Sequence, residues 1–393
     1  MAKKRTAKKA PRKKQNEILG APDPATEPTH PAPMALAAVL GHDRPVSQLT
    51  AAIESERLHH AWVFHGAKGI GKLTTALAFA ALVLDPTTER DLSGNLAPDP
   101  AGRVQSLLQA GTHPDLHVIT KELARYSTER SVRESKLTTI PKDVVETHLL
   151  RPAALAPQLN SNALATPLAR KVFIVDEAEL LDRSPTNAPV QNALLKTLEE
   201  PAPGTLIILV TSDEQRLLPT IRSRCQRVRF APLPDDAMQQ WTKSRDLTPD
   251  QADWAFRFGQ GSPGLVLEAI ATGQDRWRTR IEPMIDQLLS GRFPIDLGPE
   301  MHALVQDWAA ARVEHDKNAS KDAANRAACT RMLALVGDIL RDRLRADPVG
   351  ITPRIATIDA AQGRINANVN LQMVFDALAA ELASPPTAPV AFS

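Results

Sequence analysis

Cysteine is nearly missing from this chain of 393 residues: Cys225 and Cys329 are the two it has. Two cysteines exclude both a disulfide framework and a four-cysteine zinc site, and scattered histidines do not complete a tetrahedral set, so no structural zinc is expected. A reducing compartment fits. Aromatic residues are also scarce, at 4% with a single tyrosine. Long apolar runs are absent too: Ala76 to Leu84, the longest nearly apolar stretch, is about half of what a membrane helix needs. No basic, apolar and small-residue leader opens the sequence, so the expectation is a soluble, cytoplasmic protein with no membrane partner. Apolar residues at 43% and charged residues at 23% nonetheless suffice for a core, and the length suits two or three domains.

Charge is unevenly spread. Residues 1–14 carry six Lys and two Arg and no acid, which leaves 39 bases against 45 acids in the rest and a body of net charge −6. Such a tail can attract nucleic acid or an acidic partner through counterion release, or simply stay solvated; both readings stay open. No aromatic interleaves with it to stack on bases. Residues 15–33, with five prolines and no periodicity, read as a linker.

Beyond it, Val46, Leu49 and Ile53 predict one face of a helix over Pro45 to Glu56, and Ala61 to Phe64 a buried strand. A glycine-bearing turn, Gly66 to Gly71, leads into a mostly apolar helix from Leu73 to Leu84. Thr120 to Thr139 is charged and reads as an exposed excursion. Val172 to Val175 is the continuous apolar run of a parallel strand covered on both faces, ending on Asp176-Glu177. Asn192 to Glu200 reads as a helix stopped by Pro201, and Leu206 to Val210 as another buried strand ending on Thr211-Ser212. Strand, helix, strand implies a parallel α/β unit. After Pro234 the pattern is helical throughout.

The chemistry gathers at the strand ends. Gly66-Ala67-Lys68-Gly69-Ile70-Gly71-Lys72 follows a strand and opens a helix, the setting of a phosphate loop. There, backbone N–H groups around Gly66, Gly69 and Gly71 cradle phosphates and Lys72 reaches the terminal ones. The next position should be Ser or Thr to hold Mg²⁺, and it is Leu73. Thr74 does not replace it, since one step along a helix turns a side chain about 100° away. Nucleotide binding stays open while efficient hydrolysis is disfavoured. Asp176 is placed to serve Mg²⁺ and Glu177 to orient an attacking water, a role that is vestigial if the chain does not hydrolyse.

Asn192-Ala193-Leu194-Leu195-Lys196-Thr197-Leu198-Glu199-Glu200-Pro201, then Thr211-Ser212, then Ser223-Arg224-Cys225, resemble the bacterial DNA polymerase III clamp-loader subunits, which are AAA+ proteins. The resemblance runs from Gly41-His42 through His113-Pro114-Asp115-Leu116 and Gly261-Ser262-Pro263-Gly264 to the stretch Asn366 to Leu382. It implies an AAA+ α/β domain with a parallel sheet at 34–230, a small helical lid at 231–273 and an all-helical collar at 274–383. Disordered ends are expected at 1–33 and 384–393.

Within that family, Leu73 disfavours the ATP-hydrolysing motor type. So does Leu265, which stands where the motor's sensor-two helix offers an arginine. The stationary, largely non-hydrolysing type is the expectation. The resemblance further implies ATP or ADP with Mg²⁺ at Gly66, Gly69, Gly71, Lys72, Asp176 and the sensor-like Thr211. Implied partners are the gamma/tau motor and delta subunits, the sliding clamp and, through the complex, primed DNA. It also makes Arg224 an arginine finger acting in trans on a neighbour's γ-phosphate, where a guanidinium offsets developing charge. A gamma/tau-like motor, and a DNA-binding protein led by its basic tail, are the alternatives. Cys225 reads as a small buried residue with no His–Asp pair to activate it.

Overall fold

The computed structural model describes residues 30–55, 58–135, 137–159, 168–182, 186–245, 247–271, 273–315 and 321–384. The basic run at 1–14, most of the expected N-terminal linker and residues 385–393 lie outside them.

The strands are β1 (Ala61–His65), β2 (Glu89–Arg90), β3 (Leu96–Ala97), β4 (Leu116–Ile119), β5 (Lys171–Val175), β6 (Thr205–Thr211) and β7 (Gln226–Arg229). β2 and β3 form a small antiparallel hairpin, and the other five form one sheet in the order β4-β5-β6-β1-β7. Every pairing in that sheet is parallel; Val63 stands beside Leu209, and Ile174 beside Ile208. This is a parallel α/β sheet with helices on both faces.

Alternation of side chains along the strands assigns each residue to one of two cores. Trp62, Phe64, Val172, Ile174, Ile208 and Val210 pack against α1 (Asp43–Glu54) and α2 (Lys72–Val83), with Leu77 and Phe79 from α2 fully covered. On the opposite face Val63, Phe173, Val175, Ile207 and Leu209 meet Leu194, Leu198 and Ile221. Four short helices follow α2, namely α3 (Arg103–Gln109), α4 (Arg130–Arg133), α5 (Lys142–Val145) and α6 (Arg151–Ala154). α7 (Pro189–Glu199) and α8 (Pro219–Arg222) complete the layer. With both faces covered, the β5 and β6 strands read as unbroken apolar runs.

Two differences from the sequence reading have physical causes. Leu116–Ile119 and Gln226–Arg229 are strands although their composition is mixed, because β4 and β7 are the sheet edges and have one neighbour each. The charged stretch 120–139 is not wholly an exposed excursion: Leu123 and Ala124 are buried in a short 3₁₀ turn and join Ile140, Val144, Val145 and Leu149 on the Phe173 side of the sheet. Charges at Glu129 and Arg130 do stay in solvent.

The lid-like region is α9 (Asp235–Lys243), α10 (Pro249–Gly259) and α11 (Pro263–Ala271), with a small core of Met238, Trp241, Ala255 and Val266. α10 starts with a reciprocal capping box between Thr248 and Gln251. The remainder is α12 (Gln274–Leu289), α13 (Leu297–His315), α14 (Lys321–Leu344), α15 (Pro348–Asn366) and α16 (Leu371–Ala383) around their own core. No strand follows residue 234 among the described residues. Val374, Leu378 and Leu382 are fully buried on α16, with Leu371 half-buried beside them, so that stripe is core. Arg278 on α12 is saturated by Glu282, Asp338 and Asp342, which ties α12 to α14.

Candidate functional site

The glycine loop is forced by its backbone. Gly66, Gly69 and Gly71 take φ of +148°, +76° and +98°, which side-chain-bearing residues avoid. A Cβ at Gly66 would lie 2.3 Å from the Phe230 carbonyl oxygen. Gly71 caps α2 with no side chain, so the first-turn N–H groups of α2 are left for an anion.

Lys72 is buried at the start of α2, and its ammonium donates to the carbonyls of Gly66 (2.8 Å) and Ala67 (2.5 Å). Burial pulls its pKa down, opposed by Glu179 and Asp176. Asp176, at the end of β5, is pushed up to about 6 chiefly by burial, although the Glu177 N–H bonds its carboxylate at 3.0 Å. Glu177 holds a left-handed conformation at φ +49° and its carboxylate pairs with Lys121. Thr211 is buried, and its hydroxyl accepts from the Asp213 N–H at 3.1 Å.

A cavity of about 470 Å³ collects Gly69, Gly71, Lys72, Asp176, Glu177 and Thr211. Val39, Leu40, Leu233, Trp241 and Leu267 supply apolar walls, and Arg245 lies over the Trp241 ring. Gly66 does not line it and instead fixes the loop from behind; Arg224 does not line it either. An apolar chamber beside free helix N–H groups and a lysine fits a nucleotide by the chemistry of its donors. The fit to Mg²⁺ is poor at the position after the lysine, where Leu73 faces the cavity with no oxygen, and the Thr75 hydroxyl is turned back to the Gly71 carbonyl at 3.0 Å; Thr74, expected to turn away, lines the cavity as an exposed residue. Among the described residues no three of His, Cys, Asp and Glu converge as a metal site.

The start of α11 bears directly on the loop. The Gly264 N–H donates to the Gly69 carbonyl at 2.7 Å, and the Ser262 hydroxyl to the Lys68 carbonyl at 2.8 Å. Leu265 is outside the cavity lining and more than a third exposed. Lys68 lies 3.7 Å from Glu268 on α11, Glu268 also pairs with Arg331 on α14, and Arg331 stacks over Trp308 at 4.5 Å. Lys121, Trp241 and Arg245 were not legible as site residues, because they come from segments distant in sequence with no spacing that links them to the loop, whereas Glu179 stands two residues past Glu177 and its proximity to the acid pair was the signal. His42 had appeared only as part of a resemblance; its Nε2 lies 2.6 Å from the Ile70 carbonyl and braces the loop.

The other singled-out residues lie apart. Arg224 follows α8 on the outer edge of the sheet domain, half-exposed, with Nη2 2.6 Å from Glu199 and Nη1 donating to the Thr220 carbonyl at 2.9 Å. Burial lifts the Cys225 thiol to about 12, so it is no nucleophile. His113 is buried with its ring accepting from the Asp115 N–H, and His117 stacks on Phe173 at 4.8 Å within β4.

Residues 41–234 match the family described as DNA polymerase III, delta subunit. The DNA polymerase III subunit delta′ of Bacillus subtilis is 31% identical over 209 residues, 53% of this chain and 53% of that one. The gamma/tau subunit of Mycobacterium tuberculosis is 27% identical over 269 residues, 66% of this chain and 38% of that one. A solved DNA polymerase III gamma subunit-related protein of Thermotoga maritima superposes with a TM-score of 0.39 at 17% identity, covering 86% of this chain and 99% of that one. The chain thus spans about half the length of the delta′ relative it matches. With a parallel sheet that delivers a glycine loop, an acidic strand end and a buried threonine to one cavity, residues 41–234 of this chain match the DNA polymerase III delta family and are similar in sequence to delta′ and gamma/tau subunits.

Proposed function

We propose that this chain is the stationary, largely non-hydrolysing member of a cytoplasmic clamp loader, which completes the ring and supplies Arg224 in trans. The observation that carries the reading is the separation of two kinds of chemistry. The chain's own cavity has a phosphate loop but a leucine where Mg²⁺ needs a hydroxyl, and Leu265 in place of a sensor arginine. Arg224 stands outside that cavity on an exposed edge.

In this reading residues 34–230 form the AAA+ domain, 231–273 the lid and 274–383 the collar. Lys72 and the N–H groups at Gly69 and Gly71 hold the phosphates of an adenine nucleotide, with Gly66 shaping the loop and Thr211 and Asp176 lining it. Glu177 is kept from a water-orienting role by its pairing with Lys121. Arg224 offsets charge on a neighbouring motor subunit's transferred phosphoryl group. The partners are gamma/tau and delta subunits, a sliding clamp and primed DNA; the basic run at 1–14 adds nucleic-acid contact of a sequence-independent kind.

The gamma/tau relative matches a larger share of this chain than the delta′ relative does, which favours a motor as the second reading. Turnover by the purified chain decides between them. The expected result is little ATP hydrolysis with Mg²⁺ and primed DNA, and activity only when the chain is assembled with its motor and clamp-opening partners. Robust turnover by the chain alone, abolished by Lys72→Ala or Glu177→Gln, would overturn the stationary reading.

A further inference from the structure

Arg224 is held by two helix ends, and one of the holders is chemically out of place. Glu199 is the last residue of α7, where the helix dipole presents partial negative charge and a carboxylate is disfavoured. It is followed by a second acid, Glu200. Its Oε1 lies 2.6 Å from Arg224 Nη2, while Nη1 donates to the Thr220 carbonyl on α8. Those contacts use two of the guanidinium's donors and leave the other N–H groups for an anion.

The backbone under this pair is rigid. Asp182 caps the start of α7 through the Val190 and Gln191 N–H groups. The fully buried Gln191 donates to the Arg216 carbonyl and accepts from the Leu218 N–H, which fastens α7 to the segment that leads into α8. Leu194, Leu198 and Ile221 are buried beneath. The two side chains therefore meet on fixed supports, although 38% and 47% of their surfaces face solvent.

We propose that Glu199 is the positioning residue for Arg224: it holds one edge of the guanidinium so that the other is presented at the domain boundary before a neighbour's phosphate arrives. This rests on the trans role proposed for Arg224. A long arginine side chain otherwise loses rotamer freedom when it reaches a phosphate, and a fixed carboxylate removes part of that loss beforehand.

The test uses the assembled complex, with assembly of each variant confirmed on a native gel. Glu199→Ala lowers maximal ATP turnover about two- to fivefold, the size expected when an exposed charge pair is lost. The KM for ATP does not change. Glu199→Gln, whose amide oxygen still accepts from Nη2, restores most of the rate. The Glu199→Ala, Arg224→Ala double variant is no slower than Arg224→Ala alone. Three results would overturn the positioning role while leaving the trans role intact: Glu199→Ala at the wild-type rate with Arg224→Ala slow, either Glu199 variant faster than wild type, or a double variant slower than Arg224→Ala. Arg224→Ala at the wild-type rate would overturn the trans role and the positioning role together.

Discussion

The cavity at the glycine loop and the edge at Arg224 belong to the same sheet domain, yet their polar groups are committed in opposite ways. In the cavity the charged side chains around the loop are engaged within the chain: Lys72 by loop carbonyls, Glu177 by Lys121, and Glu179 by Ser212. The lid adds two hydrogen bonds onto the loop at Lys68 and Gly69, and Glu268 extends the connection to the helical C-terminal region. At the edge, Arg224 has two tethers and an open side. A region closed on itself is suited to holding a shape, and a half-exposed guanidinium is suited to meeting an anion from outside.

The largest expected effect comes from removing the open side. In the assembled complex, Arg224→Ala should leave folding and assembly intact and slow one adjoining ATP site; arginine fingers contribute about 10³–10⁵ at the site they serve. Steady-state turnover and single-turnover rates measured together would separate that site from the others, and equal rates for wild type and variant would erase the contrast.

Gly264→Ala attacks the closed side. Its Cβ would lie 2.6 Å from the Gly69 Cα, backbone against backbone, so the lid has to move off the loop. A loss of up to about 3 kcal/mol in urea unfolding is expected. Amide exchange should rise at residues 66–72 and stay unchanged around Arg224.

Asp176 sharpens the same contrast through pH. The unfolded chain releases this proton near the ordinary 3.8, whereas the folded chain holds it up to about 6. The native state therefore binds more protons between those values, and stability falls as pH rises through that window. Asp176→Asn should be more stable than wild type by about 3 kcal/mol at pH 8. The advantage should vanish below pH 4, and thermal melts across pH check both ends.

Glu268→Ala is the mildest test. Its ion pairs with Lys68 and Arg331 are part-exposed, so the loss should be about 1 kcal/mol or less. The useful readout is crosslinking or small-angle scattering, which should detect a looser angle between the lid and the C-terminal helices.

The elements legible in the sequence were those with strong local signals. The β5 run from Val172 to Val175 and the β6 run from Leu206 to Val210 are apolar at every position because both faces are covered, and the glycine loop announces itself through residues that must take positive φ. Edge strands β4 and β7 escaped because a strand with one neighbour need not be apolar throughout. Leu123, Ala124 and the helical spacing of Val144, Val145 and Leu149 escaped because surrounding charge masked them.

The sequence by itself determined the inventory: a glycine loop followed by Lys72 and Leu73, an acid pair ending a strand, and an arginine between serine and cysteine. Each rests on covalent identity and local backbone preference, which one stretch of chain carries alone. Only the tertiary structure decided that Lys72 turns to its own loop's carbonyls, that Lys121 claims Glu177, that α11 closes on Gly69, and that Glu199 meets Arg224. Those pairings join residues up to 195 positions apart, as Gly69 and Gly264 are, and follow from how sheet and helices pack, which no local pattern encodes.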